Sequence, residues 1–354
     1  RIHIALVADF VPRLGPMDKE AAARATTVYL PEATIRMLPD RVSSDAASLL
    51  AGHERHVLTT DVRLSPTGDI AGYSIYPSRI RIAARLSYDY CDALLASEAD
   101  TAGAAGLRRM YDAALKLRDR RRAAGALVVH RREPKIKVHP DGEIDLTLID
   151  SMSPSRQLVA ELMVLSNYAA ARWAAEKRVP IIYRVQPVMG GDYAAQRPRL
   201  SLHPEFHAGV GLDYYAQFSS PIRRYMDLVL QRQILAALAQ PPSVAYQAEE
   251  LLTVLANAEA AEADGKELER RAKRYWTLRY LERYALERPL EATVFRDGAS
   301  AELDAYAVRG SLRGAPNLPS QSRIMVRIAR VEPLRGWLGL DYLDTVPRTA
   351  GASE

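Results

Sequence analysis

The sequence predicts a mixed α+β domain followed by a small all-β barrel, on the basis of three changes along the chain. Residues 1–90 alternate short apolar runs with Gly, Pro and Asp, a pattern typical of strands and turns. Apolar residues then recur at helical spacing in several segments up to about residue 287. After Pro289 short β segments follow one another. We therefore predict domains at 1–287 and 288–346, with a disordered tail at 347–354.

The first part contains a predicted hairpin and a predicted helix. "SPTGD", Ser65–Asp69, is a turn between two strand-like runs. From about Ala104 to Ala124 one face of a helix is apolar. Its members are Leu107, Met110 or Tyr111, Ala114 and Leu117.

Further elements follow in order. The run "KIKVHPDGEIDLTLI" predicts a hairpin that turns at Pro140–Gly142. A helix is expected from Pro154, with an apolar stripe at helical spacing. The stripe consists of Leu158, Leu162, Leu165 and Ala169. Another helix is expected from Pro221, and one or two long helices over 243–287. The barrel strands are expected in "LEATVF", "SAELDAYAV", "RIMVRIARV" and "GWLGLDYL".

Composition and charge narrow the class of protein. The net charge of +5 and the pI near 9.2 favour a polyanionic partner, though only mildly. The single cysteine, Cys91, excludes an internal disulfide framework and a thiolate zinc cluster. No apolar run is long enough for a membrane span, and no signal sequence opens the chain. We expect a cytoplasmic monomer. Because the chain opens at Arg1 in a strand-like run, we also expect it to be part of a longer protein.

The most informative motif is "YYAQFSSPIRRYMDL", Tyr214–Leu228. It places Arg223 and Arg224 in the first turn of the predicted helix, where the helix dipole disfavours cations. An anion bound at the helix start would offset this, because backbone N–H groups and a guanidinium together suit a phosphate. Alternatively, both side chains reach solvent or pair with an acid.

The run "FSSPIRRYMDLVLQRQ" is very similar to the signature of the ribonuclease II catalytic domain, F-T-S-P-I-R-R-Y-x-D. Other pieces follow in the family's order, namely "VADFVPRLGPMDKEAAARATTVYLPEATIRMLPD", "ARLSYD", "AELMVLSN" and "IIYRVQP". The resemblance covers residues 1 to about 285. The β-rich end resembles the OB-fold RNA-binding module that closes these enzymes. The resemblance to the family implies sheets around a helix-lined channel for single-stranded RNA, which is degraded from its 3′ end.

The resemblance also implies roles for individual residues. Tyr29 and Tyr88 stand where the family places aromatic residues around the RNA, and base stacking is worth ~1–3 kcal/mol. A third aromatic is absent; Val129 is at the similar position, and His130 after it is a candidate substitute. Taken alone, each tyrosine would be a half-buried strand residue.

Two glutamates and two arginines complete the implied site. Glu161 is a candidate contact to the terminal ribose or to a metal-bound water. Glu269 matches a glutamate that helps hold the RNA end, although it could be one more charge on a solvated helix. Arg223 is implied to neutralise charge in the transition state, and Arg224 to bind RNA beside it.

A basic segment lies between positions 118 and 137. Such a segment adds salt-sensitive RNA affinity if it contacts phosphates, but it can equally be a solvated surface. It contains Arg118, Arg120, Arg121, Arg122, Arg131, Arg132, Lys135 and Lys137.

The family's metal-binding motif, D-x-x-x-x-x-D-x-D-D-A, is absent from this sequence. These aspartates hold Mg²⁺, with Mn²⁺ as a substitute, and hydrolysis depends on them. Asp9 matches a family aspartate downstream of the motif and is not expected to bind the metal. We expect the missing aspartates upstream of Arg1.

Three functions therefore stay open. The first is an exoribonuclease that releases nucleoside 5′-monophosphates, with its aspartates outside these residues. The second is an RNA-binding protein without hydrolysis. The third is a basic scaffold that binds protein, with no affinity for single strands.

Overall fold

The structure, a computed structural model, describes residues 1–127, 132–187, 197–295 and 298–346. The predicted tail and His130 lie outside these residues. The chain divides into two compact units, which are best described separately. The first contains Arg1–Thr27, Arg36–His130 and Met152–Gly265, and the second contains Val28–Ile35, Arg131–Ser151 and Lys266–Glu354.

The strands and helices are numbered in chain order. The strands are β1 (Ile2–Ala5), β2 (Val28–Tyr29), β3 (Thr34–Ile35), β4 (Glu54–Leu64), β5 (Ile70–Arg81), β6 (Arg132–Val138), β7 (Ile144–Asp150), β8 (Tyr183–Val185), β9 (Arg199–Ser201), β10 (Leu290–Val294), β11 (Ser300–Leu303), β12 (Val308–Arg313), β13 (Arg323–Glu332) and β14 (Trp337–Thr345). The α-helices are α1 (Pro16–Arg24), α2 (Tyr88–Ala96), α3 (Ala102–Ala123), α4 (Pro154–Lys177), α5 (Tyr225–Leu238) and α6 (Ala248–Tyr284). Short 3₁₀ turns at Val7–Asp9 and Pro333–Arg335 and a π-helical turn at Arg41–Ala46 complete the list.

The first unit is built around an antiparallel sheet in the order β1-β4-β5. The predicted hairpin is confirmed, and Gly68 occupies a left-handed conformation (φ +85°) at its turn. The fully buried Leu58 of β4 belongs to one core cluster with Phe218 and Ile234. This core fixes the segment that carries the signature motif.

The helical periodicity predicted α3 and α4 well. Leu107, Ala114 and Leu117 of α3 are buried. Tyr111 packs against the neighbouring core, whereas Met110 is exposed. Of the two residues considered for the apolar face of α3, Tyr111 is therefore the one that belongs to it. The predicted stripe of α4 likewise faces inward, with Leu162 partly buried.

The second unit contains a closed five-stranded barrel in the order β10-β11-β12-β14-β13. "SAELDAYAV" was expected as one β segment but forms two strands, because the chain turns at residues 304–307. Ala307, the last residue of this turn, has a φ of +47°. The barrel core contains Leu303 and Ile324, and Leu278 of α6 joins it. The predicted mixed α+β class with a C-terminal OB-like barrel is confirmed.

Two hairpins, β2–β3 and β6–β7, belong to the same unit as the barrel. Leu146 of β7 packs against the barrel core. The carboxylate of Glu143, beside the predicted turn, accepts hydrogen bonds from Arg283 and Tyr284 of α6 at 2.6 Å each. The long helical segment is a single helix, α6.

Within the described residues, no helix is both long and apolar enough to cross a membrane.

Candidate RNA-contacting residues

The signature segment does not begin its helix where the sequence predicts. We expected helix from Pro221, with both arginines in its first turn, but α5 begins at Tyr225. The cause is backbone pairing with the end of α1. The Thr27 N–H donates to the Arg223 carbonyl at 2.9 Å, and the Tyr225 N–H donates to the Ala25 carbonyl at 2.8 Å. Arg224 is therefore extended (φ −135°, ψ 125°), and the dipole argument for the two arginines was wrong.

Arg224 forms a buried ion pair. Its Nε and Nη2 donate to the two carboxylate oxygens of Asp227 at 2.9 and 2.6 Å. Asp227 is fully buried, and it also accepts the Ser220 N–H at 2.7 Å. Burial by itself lowers the pKa of Arg224, but the charge and the hydrogen bonds of Asp227, with smaller contributions from Tyr215 and Glu262, together outweigh this effect and raise the pKa. Arg224 thus holds the turn before α5, and its contact with RNA stays a prediction.

Arg223 is arranged in the opposite way. Its side chain is exposed, and within the described part of the chain it makes no ion pair or hydrogen bond, although its carbonyl is held by Thr27. The backbone is therefore fixed while the guanidinium keeps its donors for an anion.

Tyr29 and Glu269, predicted separately, lie together in the second unit. The Tyr29 N–H donates to Glu269 Oε1 at 2.7 Å, and the Tyr29 side chain is 45% exposed. Two further contacts hold the β2–β3 hairpin. Trp276 Nε1 donates to Glu32 Oε2 at 2.7 Å, and the Val138 N–H donates to the Pro31 carbonyl at 3.0 Å. The structure therefore gives Glu269 a clear local task, which is to position Tyr29.

Tyr88 opens α2 and is 39% exposed. The guanidinium carbon of Arg156 lies 4.2 Å from the centroid of its ring. Arg156 was missed, because its position 68 residues further along the sequence gives no sign of this contact.

Glu161 is almost fully buried, at 6% exposure. It accepts a two-pronged hydrogen bond from Arg121, with Nε to Oε2 at 2.9 Å. Arg121 also donates to the Val210 carbonyl at 3.0 Å. Both side chains line a cavity of about 370 Å³ in the first unit. A ribose contact by Glu161 stays a prediction, now with Arg121 as the partner that sets its orientation.

The basic segment is not a uniform solvated surface. Arg118 contacts Asp119 and Gln157, Arg120 pairs with Asp69 at 2.9 Å, and Arg121 is held by Glu161. Lys135 and Lys137 lie on β6, in the other unit, and Arg131 falls outside the described residues. Three of the eight basic residues, Arg118, Arg120 and Arg121, therefore have partners within the protein.

Among the described residues, no group of three or more His, Cys, Asp or Glu side chains could hold a metal ion. Asp9 instead lies within hydrogen-bond distance of His56, with Oδ2 and Nδ1 2.9 Å apart. The donor set that Mg²⁺ needs is thus not found in this part of the chain.

The mixed domain and the signature turn agree with one known domain family. The sequence profile of the RNB domain matches residues 1–196 and 193–240. Since this is more than half of the chain, the protein belongs to the RNB domain family.

One relative shows how much of a longer protein this chain matches. An uncharacterized ribonuclease of Synechocystis sp. is 31% identical over 301 residues, which cover 80% of this chain and 45% of the relative. The chain therefore spans less than half the length of that protein.

Two solved structures share the fold. Mycoplasma genitalium ribonuclease R, in complex with ribose-methylated single-stranded RNA, aligns with a TM-score of 0.82 at 19% identity, over 96% of this chain and 66% of that chain. Yeast Ssd1, a pseudonuclease, aligns with a TM-score of 0.68 at 17% identity, over 87% of this chain and 45% of that chain.

Proposed function

We propose that this protein is a processive 3′–5′ exoribonuclease that hydrolyses single-stranded RNA to nucleoside 5′-monophosphates. The observation that carries the proposal is Arg223, an exposed guanidinium on a fixed backbone within the signature of an RNB-family chain. The related fold of Mycoplasma genitalium ribonuclease R, solved with single-stranded RNA, supports the substrate class.

In this proposal each predicted residue has a defined role. Arg223 neutralises the charge that builds on the scissile phosphate, a contribution that for a preorganised donor is worth ~3–4 kcal/mol. Tyr29 and Tyr88 stack on bases without regard to their identity. Glu269 keeps Tyr29 in place and helps to hold the RNA end. Glu161 contacts the terminal ribose or a metal-bound water. Arg224 maintains the turn that presents Arg223 and binds RNA beside it.

Magnesium dependence is part of the proposal, but the described residues do not fit a magnesium site. Hydrolysis therefore requires carboxylates beyond those described, and we propose that they lie upstream of Arg1. The protein is further proposed to act as a monomer in the cytoplasm.

A second function has a specific observation in its favour. Without a metal-binding group the same residues would bind RNA and leave it intact, and the fold is shared with a pseudonuclease. The chain would then be a single-strand RNA-binding protein.

Incubation of the chain with 5′-labelled single-stranded RNA and Mg²⁺, resolved by gel over time, separates the two functions. Shortening from the 3′ end that EDTA abolishes supports the exoribonuclease. RNA that is bound but intact favours the binding protein, unless addition of the upstream segment restores cleavage. Intact RNA in both preparations would contradict the proposed hydrolysis.

Arg223→Ala tests the catalytic role in whichever preparation cleaves RNA. We expect turnover to fall by about two to three orders of magnitude while the Kd for RNA changes little, because the contact strengthens only in the transition state. Equal losses in turnover and affinity would leave Arg223 a binding residue.

A further inference from the structure

A side-chain pair in the first unit, Tyr88 and Arg156, forms a surface that the proposed function uses only in part. The Arg156 guanidinium carbon lies 4.2 Å from the centroid of the Tyr88 ring, which is the geometry of a cation–π contact. The tyrosine remains 39% exposed, so part of its ring stays open to solvent.

Hydrogen bonds of Ser155 hold the backbone near both members of the pair. Tyr88 is the first residue of α2, and Arg156 lies in the first turn of α4. Between them Ser155 is buried; its Oγ donates to the Tyr88 carbonyl at 3.2 Å, and its N–H donates to Asp92 Oδ1 at 2.7 Å. Because these bonds tie the two helix starts together, the ring and the guanidinium meet in a fixed arrangement.

The charge of Arg156 acts only weakly on a nearby carboxyl: burial raises the pKa of Asp92, but hydrogen bonds, chiefly from Ser155, and as the smallest contribution the Arg156 charge lower it. In the part of the chain that the structure describes, no carboxylate forms an ion pair with it, and its guanidinium donates no hydrogen bond. The nearby Asp92 already accepts the Ser155 N–H. A guanidinium stacked on an aromatic ring keeps its in-plane N–H donors, and these suit a phosphate.

We propose that Arg156 is a further RNA-contact residue, which backs one face of Tyr88 and binds a backbone phosphate of the nucleotide whose base stacks on the open part of the ring. This rests on the proposed binding of single-stranded RNA and adds a residue to it. A nucleotide satisfies both groups at once, since it brings a planar base and an anion. An acidic peptide would use the charge and leave the ring unused.

The test is the binding of 5′-fluorescein-labelled single-stranded oligoadenylate to the full chain, measured by anisotropy over a salt series. Arg156→Gln should weaken binding about three- to tenfold and reduce the slope of log K against log salt by ~0.7, the value for one phosphate on a single strand. Arg156→Lys keeps the charge and should retain the slope with intermediate affinity. Tyr88→Leu should weaken binding while keeping most of the slope.

Arg109→Gln is the matched control, because it removes one positive charge, as Arg156→Gln does, at an exposed position on α3 of the same unit. It should leave affinity and slope nearly unchanged, and thermal unfolding should show that every variant is folded. If Arg156→Gln behaves like this control while the wild-type chain binds RNA, the role of Arg156 is wrong and the proposed function stands. If the wild-type chain binds no RNA, both fail. Competition by polyglutamate as strong as by RNA, with no effect of Tyr88→Leu, would assign the surface to an acidic protein and overturn the proposal.

Discussion

At the scale of single residues, two adjacent arginines have different tasks. Arg224 neutralises a fully buried carboxylate, whereas Arg223 next to it is exposed. The spacing Arg-x-x-Asp within the signature could have predicted the pair, because the side chains of an N-cap residue and of the residue three positions further on lie close together at the start of a helix. The difference between the two residues could not be predicted, because backbone pairing with Ala25 and Thr27, about 200 positions away in sequence, determines it.

This difference predicts a large effect on the free energy of unfolding for one arginine and a small effect for the other. Arg224→Gln leaves the buried Asp227 charge without its cationic partner, which typically costs about 3–5 kcal/mol. Arg223→Gln, the matched control, should change the free energy of unfolding by less than about 0.5 kcal/mol. Urea denaturation of the two variants measures this. Similar midpoints for both would show that the buried pair contributes little.

His207 provides a pH dependence. Burial, followed by the positive charge of Arg184, lowers its pKa to about 4. In the unfolded chain the pKa of histidine is near 6.5. The unfolded state therefore binds the proton first as the pH falls, and stability should decrease between pH 6.5 and pH 4, by about 3 kcal/mol in total.

Chemical denaturation at several pH values tests this prediction. The quantity to compare is the difference in the free energy of unfolding between the wild type and His207→Gln. The exposed His53→Gln serves as the control and should follow the wild type. If the wild type and His207→Gln lose stability in parallel over that range, His207 is not the group responsible.

At the scale of elements, local patterns were reliable where one face meets a core. The two long hairpins and the helices α3 and α4 follow from alternation, turn residues and helical spacing. The start of α5 and the turn inside "SAELDAYAV" did not follow. Hydrogen bonds to residues that are distant in sequence determine the first, and a local positive φ accompanies the second. Partners such as Tyr29 and Glu269 are 240 positions apart, so only the fold brings them together.

The β2–β3 hairpin yields an element-scale prediction. Glu269→Ala removes the acceptor of the Tyr29 N–H, and a net hydrogen bond of about 1 kcal/mol corresponds to ~5-fold faster amide exchange. Hydrogen–deuterium exchange at Tyr29 measures this. Glu282→Ala is the control on the same helix, since within the described residues Glu282 forms its ion pair with the neighbouring Arg279, at 2.6 Å. Unchanged exchange at Tyr29 in Glu269→Ala would mean that the other hairpin contacts suffice.

At the scale of the whole molecule, the sequence predicted both the mixed domain and the barrel, because strand texture and helical spacing change sharply near Pro289. It did not indicate that two earlier hairpins belong with the barrel, since each has an ordinary local pattern. Net charge was a weak guide to binding, because arginines such as Arg121 and Arg224 are neutralised inside the protein. The exposed Arg223 and the half-buried Arg156, neither of which forms an ion pair within the described residues, are more informative than the total net charge.

The central claim is that this RNB-family chain binds single-stranded RNA, which both proposed functions require. Direct binding of a labelled single strand and of a blunt duplex of equal length, over a salt series, tests it most directly. We predict that the single strand binds more tightly, and that log K falls with log salt by ~0.7 for each phosphate contacted. A chain with no affinity for the single strand and no salt dependence would contradict the claim and favour a scaffold that binds protein.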